Sequence, residues 1–207
     1  MDTTRPTILR LDPEGLKVLA HPLRSRLLTA LREHGPATAT ALARRLGTNT
    51  GATSYHLRRL ASVGLVDETD EGRGRERWWK AATEMHGWTQ RDAAGDPDAE
   101  AASDWLRRHY LANFVERYGS WLDAHGSWPL AWQDVAGGSD YALRLSPTAL
   151  AAFQAEVEAL FLRYRTDPPA TDDAGDAAAV QVYLYRFPLT DAGRCCRSTR
   201  DPYGLDS

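Results

Sequence analysis

Residues 38–66, TATALARRLGTNTGATSYHLRRLASVGLV, decide the fold, because they contain two short helical patterns hinged at one glycine. Thr38 can cap the first helix, and Gly47 suits the left-handed C-cap that turns the chain sharply. Asn49 or Thr50 can then cap the second helix. Two helices joined by a sharp turn that contains glycine are typical of a helix-turn-helix unit.

The flanking residues extend this pair into a longer order of elements. Two helices come before it: Asp12-Pro13 is an N-cap followed by proline, and His21-Pro22 separates the first helix from the second. After it the spacing of apolar residues is no longer helical, and the runs LVDET and ERWWKAA are typical of short strands around the tip DEGRGR. Three helices, a recognition-type helix and a hairpin predict a winged helix-turn-helix domain over residues 8–90.

The rest of the chain predicts a second region. The polar run 91–100 is interpreted as a linker, and a long helix follows to about Ala124. The runs YALRLSP and AVQVYLYRF alternate like strands on either side of another helix, which suggests a βαβ unit. We therefore expect an α+β protein, mainly a helical winged helix-turn-helix domain, then a helical dimerisation segment and a small βαβ C-terminal unit within residues 101–190. Residues 191–207 are expected to be a disordered tail.

Composition places the chain among ordinary globular proteins. It has 207 residues, of which 43% are hydrophobic and 26% are charged, and no run approaches the ~18 apolar residues of a membrane span. We therefore expect a cytoplasmic protein with no membrane partner. Cys195 and Cys196 are the only cysteines and are adjacent, which excludes a disulfide framework. They are interpreted as free thiols, with a redox or thiophilic-metal contact as the alternative.

Charge is distributed unevenly between the two halves of the sequence. The net charge is -3, but residues 1–94 carry 15 Lys and Arg against 11 Asp and Glu, whereas residues 95–207 carry 10 against 17. A basic first half on an acidic second half is the asymmetry expected if only the first half meets phosphates.

The second helix of the opening stretch has the features of a helix that lies in the major groove, with short polar groups at its N-terminal end. The candidate DNA-binding residues are Arg44, Arg45, Asn49, Thr50, Gly51, Ser54, Tyr55, Arg58, Arg59, Arg73, Arg75 and Arg77. Arg58 can meet a phosphate or read a guanine, and the hairpin arginines can reach a minor groove. A solvated arginine face and a protein-binding winged helix are the alternatives.

Motifs along residues 11–85 carry a family resemblance. The runs VLAHPLRSRLLTAL, SYHLRRLASVGLV and GRGRERWWKA occur in this order. They closely resemble the ArsR-type winged-helix transcriptional regulators of bacteria. The resemblance implies a homodimeric, repressor-like protein that binds a near-palindromic double-stranded DNA operator and is released by an effector.

The sequence departs from the metal-sensing members of that family, which carry a cysteine pair on the third helix or Asp/His pairs on the terminal helix. The third helix here is ATALARRL, which has no cysteine. Asp104, His109 and His125 lack the spacing of a joined metal set. We therefore expect no metal site and no cofactor.

A mainly aromatic face runs along the long helix. Its members are Trp105, Leu106, Tyr110, Phe114, Tyr118 and Trp121. Apolar side chains at spacings of three and four usually form a core or a dimer seam. The resemblance pairs the helix after the wing with its symmetry mate, so we assign this face chiefly to dimerisation. An apolar pocket for a small organic effector is the alternative.

Motifs of catalysis are missing from the C-terminal half. It has no glycine-rich phosphate loop, no G-x-S-x-G elbow and no run of metal ligands. We therefore expect a DNA-binding regulator, not an enzyme, with no catalytic residues. The alternative is a winged-helix targeting or protein-interaction module attached to a C-terminal ligand-binding or catalytic domain.

Overall fold

The computed structural model describes residues 8–69, 76–83, 85–166 and 177–189. Two compact units make up the chain, residues 1–168 and residues 169–207. The elements up to the wing are β1 (Ile8–Arg10), α1 (Pro13–Leu19), α2 (Pro22–His34), β2 (Ala37–Thr38), α3 (Ala39–Leu46), α4 (Thr50–Ala61), β3 (Val66–Thr69) and β4 (Trp78–Ala81). The later elements are β5 (Met85–Gly87), α5 (Gln90–Ala93), α6 (Pro97–Ala124), a 3-10 turn (His125–Ser127), α7 (Leu130–Val135) and α8 (Pro147–Thr166).

Short polar side chains begin the first helices, as the sequence predicts. The backbone N–H of Gly15 donates to Asp12 Oδ1 over 2.7 Å at the start of α1. Thr38 caps α3 in the same way over 3.2 Å. Of the two candidate caps for α4, the structure uses Asn49, whose Oδ1 accepts from the N–H of Ala52 over 2.8 Å. Between α3 and α4, Gly47 adopts the left-handed conformation with φ 65°, which fixes the turn.

The core lies among α1, α2, α3, α4 and the wing. Leu16, Leu27, Leu57 and Leu60 are fully buried, because each apolar side chain lies on the inner face of an amphipathic helix. Trp79 of β4 is 3% exposed and belongs to the same cluster. This core holds α4 in a fixed position relative to the wing.

Two small sheets complete the N-terminal part. In the wing, β4 pairs antiparallel with β3, with Glu68 opposite Trp79, and also with β2, with Thr38 opposite Trp78. Outside the wing, β1 pairs in parallel with β5, with Ile8 opposite Met85. The sequence does not predict β1, β2 or β5, because two or three residues are too few to show an alternating pattern.

The run 91–100, interpreted above as a linker, is largely helical. It contains the end of α5 and the first residues of α6, which Asp96 begins by accepting from the N–H of Ala99 over 3.0 Å. Ala99, Ala102 and Leu106 of α6 are buried in the core cluster, and α6 packs against α1. The first turns of α6 are therefore part of the N-terminal core, although the predicted domain division remains a prediction.

The mixed α+β class is confirmed, but the predicted βαβ unit is wrong in its strands. Residues 141–145 and residues 179–187 carry no strand. Alternating side chains give a segment two faces, but a strand also needs a hydrogen-bonded neighbouring strand. Within the described residues of its own unit, neither run has such a neighbour. The helix between them is present as α8. The predicted tail 191–207, including Cys195 and Cys196, lies outside the described residues.

Burial ends abruptly along α6. From residue 107 to residue 164 no described side chain is buried, and several large apolar side chains are exposed. Val115 is 62% exposed and Leu143 is 61% exposed. Among the described residues, no helix is both long enough and apolar enough to cross a membrane.

Candidate nucleic-acid interface

The N-terminal end of α4 faces solvent. Thr50 and Gly51 are exposed, Ser54 is half-buried and Tyr55 is 55% exposed. The opposite face of the helix is fixed by Thr53, whose hydroxyl donates to the backbone carbonyl of Asn49, and by buried leucines. The predicted base-reading end of the helix is thus available on a rigid support.

A cleft of about 490 Å³ separates α4 from the wing. We name it the wing cleft, and its polar lining is Thr38, Thr40, Thr50, Ser54, Arg58, Glu76 and Arg77. The structure therefore brings together four of the predicted DNA-binding residues from α4 and the hairpin. Thr38, Thr40 and Glu76 were not among the predicted DNA-binding residues. The pairing of β2 with β4 places the start of α3 beside the wing.

The predicted DNA-binding arginines differ in their pairing. Arg59 donates to Glu14 of α1 over 3.2 Å, and Arg77 donates to Glu68 across the wing over 3.1 Å. Both are exposed ion pairs, which contribute little to stability and can exchange partners. Within the described part of the chain, no hydrogen bond or ion pair involves the side chain of Arg58, so its guanidinium group is available in the wing cleft.

Arg44 and Arg45 lie elsewhere on the domain. They line a second cleft, of about 480 Å³, together with His34, Leu42, Glu76 and Trp78. We name it the Trp78 cleft. The predicted candidates Arg73 and Arg75 lie outside the described residues.

The two tryptophans of the hairpin have different surroundings. Trp79 is buried in the core, as the alternation of a strand requires for one of two neighbours. Trp78 is half-buried and lines the cleft that bears its name. Trp79 therefore belongs to the core, whereas Trp78 contributes an aromatic surface to a concave site.

Two histidine rings pack together where α4 meets the start of α2. The rings of His21 and His56 lie 4.5 Å apart, and His21 Nδ1 accepts from the N–H of Leu23 at the start of α2. Burial lowers the pKa of both histidines, and the positive charge of nearby Arg24 lowers the pKa values further. Both rings are therefore neutral at pH 7, which allows them to pack together behind the exposed face of α4.

A half-buried hydrogen-bonded chain joins α2, β5 and α6. Arg32 donates to His86 Nδ1 over 2.8 Å, which places the remaining imidazole proton on Nε2. His86 Nε2 lies 2.8 Å from the hydroxyl of Tyr110 and donates to it. Burial, followed by the charge of Arg32, lowers the pKa of His86 to about 3. Burial raises the pKa of Tyr110 to about 12, so both groups remain neutral.

The predicted face of α6 divides into two parts. Leu106 is 0% exposed in the core of its own chain and Tyr110 bonds to His86, so the prediction of a dimer or effector face is wrong for Leu106. Its position on the helix alone could not show that α1 covers it. Further along, the rings of Phe114, Tyr118 and Trp121 stack in sequence, with centroids 5.6 Å and 5.5 Å apart. They are half-buried.

Possible metal ligands are dispersed in the parts of the chain that the structure covers. No group of three His, Cys, Asp or Glu side chains lies close enough there to hold an ion. His109 stacks on Trp105 at 4.6 Å, and burial lowers its pKa. Packing against Trp105 therefore explains the position of His109 without a metal ion.

Comparison with known families identifies the domain that carries the wing cleft. Residues 19–69 match a family model described as a helix-turn-helix domain. These residues form a helix-turn-helix domain. They include α2, α3, α4 and β3, and the antiparallel β3–β4 hairpin supplies the wing. The winged helix-turn-helix fold predicted from the sequence is thereby confirmed. A search of curated proteins found no match.

Several solved structures are similar to part of the chain. The winged helix-turn-helix DNA-binding domain of Mb0332 from Mycobacterium bovis is homodimeric and is described as a possible ArsR-family transcriptional regulator. It is 22% identical, and the match covers 51% of this chain and 81% of that chain with a TM-score of 0.33. A possible transcriptional regulator for arsenical resistance is 27% identical over 52% of this chain and 94% of that chain, with a TM-score of 0.30. Reduced HlyU from Vibrio cholerae is 22% identical, with coverages of 47% and 85% and a TM-score of 0.31.

Proposed function

We propose that the protein is a homodimeric transcriptional regulator, acting as a repressor, whose helix-turn-helix domain binds a near-palindromic DNA operator. Helix α4 enters the major groove, and the wing lies against the neighbouring DNA backbone or minor groove. Operator binding is a property of the dimer, because two copies present two recognition helices to two half-sites.

The wing cleft is the observation that supports this function most directly. Its lining combines the hydroxyls of Thr40, Thr50 and Ser54 with the guanidinium group of Arg58, for which the described residues provide no partner. Hydroxyls and arginine are the groups that proteins use for phosphate oxygens and for base edges. A DNA strand that passes between the major groove and the wing would meet all of them, so we infer that this cleft receives the DNA backbone.

The proposed DNA contacts divide by position. Thr50, Gly51, Ser54 and Tyr55 lie at the exposed end of α4 and face base edges. Arg58 lies one turn further on, where it reads a guanine or binds a phosphate. The Oδ1 of Asn49 is used as a helix cap, which leaves its amide N–H groups for DNA. The remaining proposed contacts, chiefly to phosphate, are Arg44, Arg45, Arg59, Arg73, Arg75 and Arg77.

Exposed apolar surface supports dimerisation. Residues 107–164 contain no buried described side chain, yet they include Leu111, Val115 and Leu122 on α6. Apolar surface of this extent marks an interaction site in soluble proteins. We infer that a second copy covers it, since symmetric pairing of α6 would also place two α4 helices for a near-palindromic site. The stacked rings of Phe114, Tyr118 and Trp121 lie on the same helix and are the proposed place for a small organic effector.

The proposal is tested by selecting bound duplexes from a random DNA pool with the full chain. We expect a near-palindrome with half-sites about one helical turn apart, bound with a steep salt dependence. Recovery of no preferred sequence, at low salt and with dimeric protein, would contradict operator binding. It would favour a winged helix that binds another protein.

Arg58→Gln tests the wing cleft on the selected duplex. If Arg58 reads a guanine, its loss costs about 1–3 kcal/mol of binding free energy and relaxes specificity at one position. If it meets only phosphate, affinity falls evenly across sequences. Arg91→Gln is the matched control, because Arg91 is exposed on α5 and lies outside both clefts. Equal affinity of Arg58→Gln and the parent protein for every duplex would remove Arg58 from the interface.

A further inference from the structure

The Trp78 cleft differs from the wing cleft in the chemistry of its walls. It lies between α3 and β4 and has a volume of about 480 Å³, within the range of small-molecule sites. Pro36, Ala41 and Trp78 provide apolar surface, while Arg44 and Arg45 provide charge. The combination is that of a site for an amphipathic small molecule and not of a flat phosphate-binding surface.

The charges in the cleft favour an anion. Among the described residues, neither Arg44 nor Arg45 has a hydrogen-bond or ion-pair partner, unlike Arg59 and Arg77. Glu76 is the one carboxylate among the described residues of the lining, so the two arginines leave an excess of positive charge in the cleft. A guanidinium group is well suited to a carboxylate, whose two oxygens accept its N–H groups in pairs, and this cleft is lined by two arginines.

The aromatic surface specifies the rest of the ligand. Trp78 is half-buried, and its neighbour Trp79 is held in the core, so the position of the strand that carries Trp78 is fixed. A flat ring stacked on an indole gains more than its buried area alone provides. An aromatic body therefore fits the wall at Trp78 while its acidic group faces the arginines.

We propose that the Trp78 cleft is a binding site for a small aromatic carboxylate, which Arg44 and Arg45 hold by its acid group and Trp78 by its ring. This site is separate from the aromatic face of α6 to which the effector is assigned above. Its existence does not depend on DNA binding.

The site has a regulatory consequence that rests on the proposed function. Arg44 and Arg45 are also proposed phosphate contacts, so a bound carboxylate and the DNA backbone compete for the same guanidinium groups. The ligand also lies against β4, which forms one wall of the wing cleft through Trp79. Occupation of the Trp78 cleft therefore weakens operator binding.

The direct test is calorimetric titration of the full chain, without DNA, with indole-3-acetate and with neutral indole as the uncharged comparison. We expect saturable binding of indole-3-acetate and at least about tenfold weaker binding of indole, since a charged hydrogen bond contributes about 1.5–3 kcal/mol. The double variant Arg44→Gln/Arg45→Gln should lose about tenfold or more in affinity for indole-3-acetate. Arg91→Gln should bind it as the parent protein does.

Three outcomes would overturn the site. These are no saturable binding of indole-3-acetate, equal binding of indole, or unchanged affinity in the double arginine variant. Trp78→Leu gives a second test through the aromatic wall, with circular dichroism to verify its fold. Because the titration contains no DNA, failure of the operator proposal leaves its result intact. If indole-3-acetate binds but does not raise the Kd for the selected duplex, the site stands and the proposed competition is wrong.

Discussion

The two parts of residues 8–166 differ in how they obtain a core. Up to Leu106, helices α1 to α4 and the start of α6 bury leucines against their neighbours, and a cap fixes the start of α1, α3 and α4. From residue 107 to residue 164, the helices are as regular but their apolar side chains remain at the surface. Regular secondary structure therefore shows only that the backbone hydrogen bonds are formed. Burial shows which part of the chain has a hydrophobic core without a second copy.

A matched pair of leucine substitutions gives the largest expected effect. Leu57→Ala removes a side chain that is 0% exposed beneath the recognition helix and should cost about 2–5 kcal/mol of unfolding free energy. Leu143→Ala, at a side chain that is 61% exposed, should cost less than about 0.5 kcal/mol in dilute, monomeric protein. Urea unfolding measures both. Equal losses would show that the C-terminal part has a core of its own.

A charge on the exposed face of α6 tests whether a second copy covers it. Val115→Asp should dissociate the dimer and weaken binding to a full palindrome by about 100-fold, because the two DNA contacts are then no longer linked. Ser120→Asp adds the same charge at an exposed position on another side of α6 and is the control. Sedimentation of both variants gives the oligomeric state. If the Val115→Asp variant is still a dimer, the interface does not lie on this face of α6.

The half-buried chain of Arg32, His86 and Tyr110 predicts a pH dependence for the N-terminal part. Burial lowers the pKa of His86 to about 3 in the folded protein, whereas in the unfolded chain it is about 6.5. The unfolded state therefore binds the extra proton first. The contribution of neutral His86 to stability is complete above about pH 6.5 and is lost as the pH falls toward 3.

The measurement is the free energy of unfolding between pH 7 and pH 5. His86 alone should contribute a slope approaching about 1.4 kcal/mol per pH unit below pH 6. His21 and His56 act in the same direction, because burial lowers their pKa values as well. A His86→Gln variant should be less stable at pH 7 but should show a smaller slope. An unchanged slope would mean that His86 is accessible to protons in the folded state.

Gly51→Ala gives the smallest expected effect on the free protein. A methyl group there would meet nothing nearer than Asn49 Oδ1 at 3.4 Å, and alanine favours the helix. The free energy of unfolding should change by no more than about 1 kcal/mol, and any change should be an increase. Affinity for the selected duplex should fall if the backbone at this position approaches DNA closely. A fluorescence titration with labelled duplex decides this, and unchanged affinity would place Gly51 away from the DNA.

Local signals explain what the sequence could predict. The caps Asp12 and Thr38, the turn at Gly47 and the periodicity of α1 to α4 each lie within a few residues of the structure they specify. They predict the order of elements and the exposed end of α4. The wing follows in the same way, because a hairpin joins neighbours in sequence.

The features that the sequence could not predict depend on distant neighbours. The pair of Glu14 and Arg59 spans 45 residues, and the chain from Arg32 to His86 spans 54. The pairing of β2 with β4 places the start of α3, with Thr40, beside the wing. The false strands at 141–145 and 179–187 have the opposite cause, since a local alternation was present without a hydrogen-bonded neighbour in the same described unit.

The central claim is that two copies of the helix-turn-helix domain, paired through residues 107–166, bind one operator. The most direct measurement is the stoichiometry and affinity of the full chain on the selected palindrome and on a single half-site, by sedimentation with labelled DNA. We expect two protomers on the palindrome and about 100-fold weaker binding to the half-site. One protomer bound to either duplex with equal affinity would contradict it.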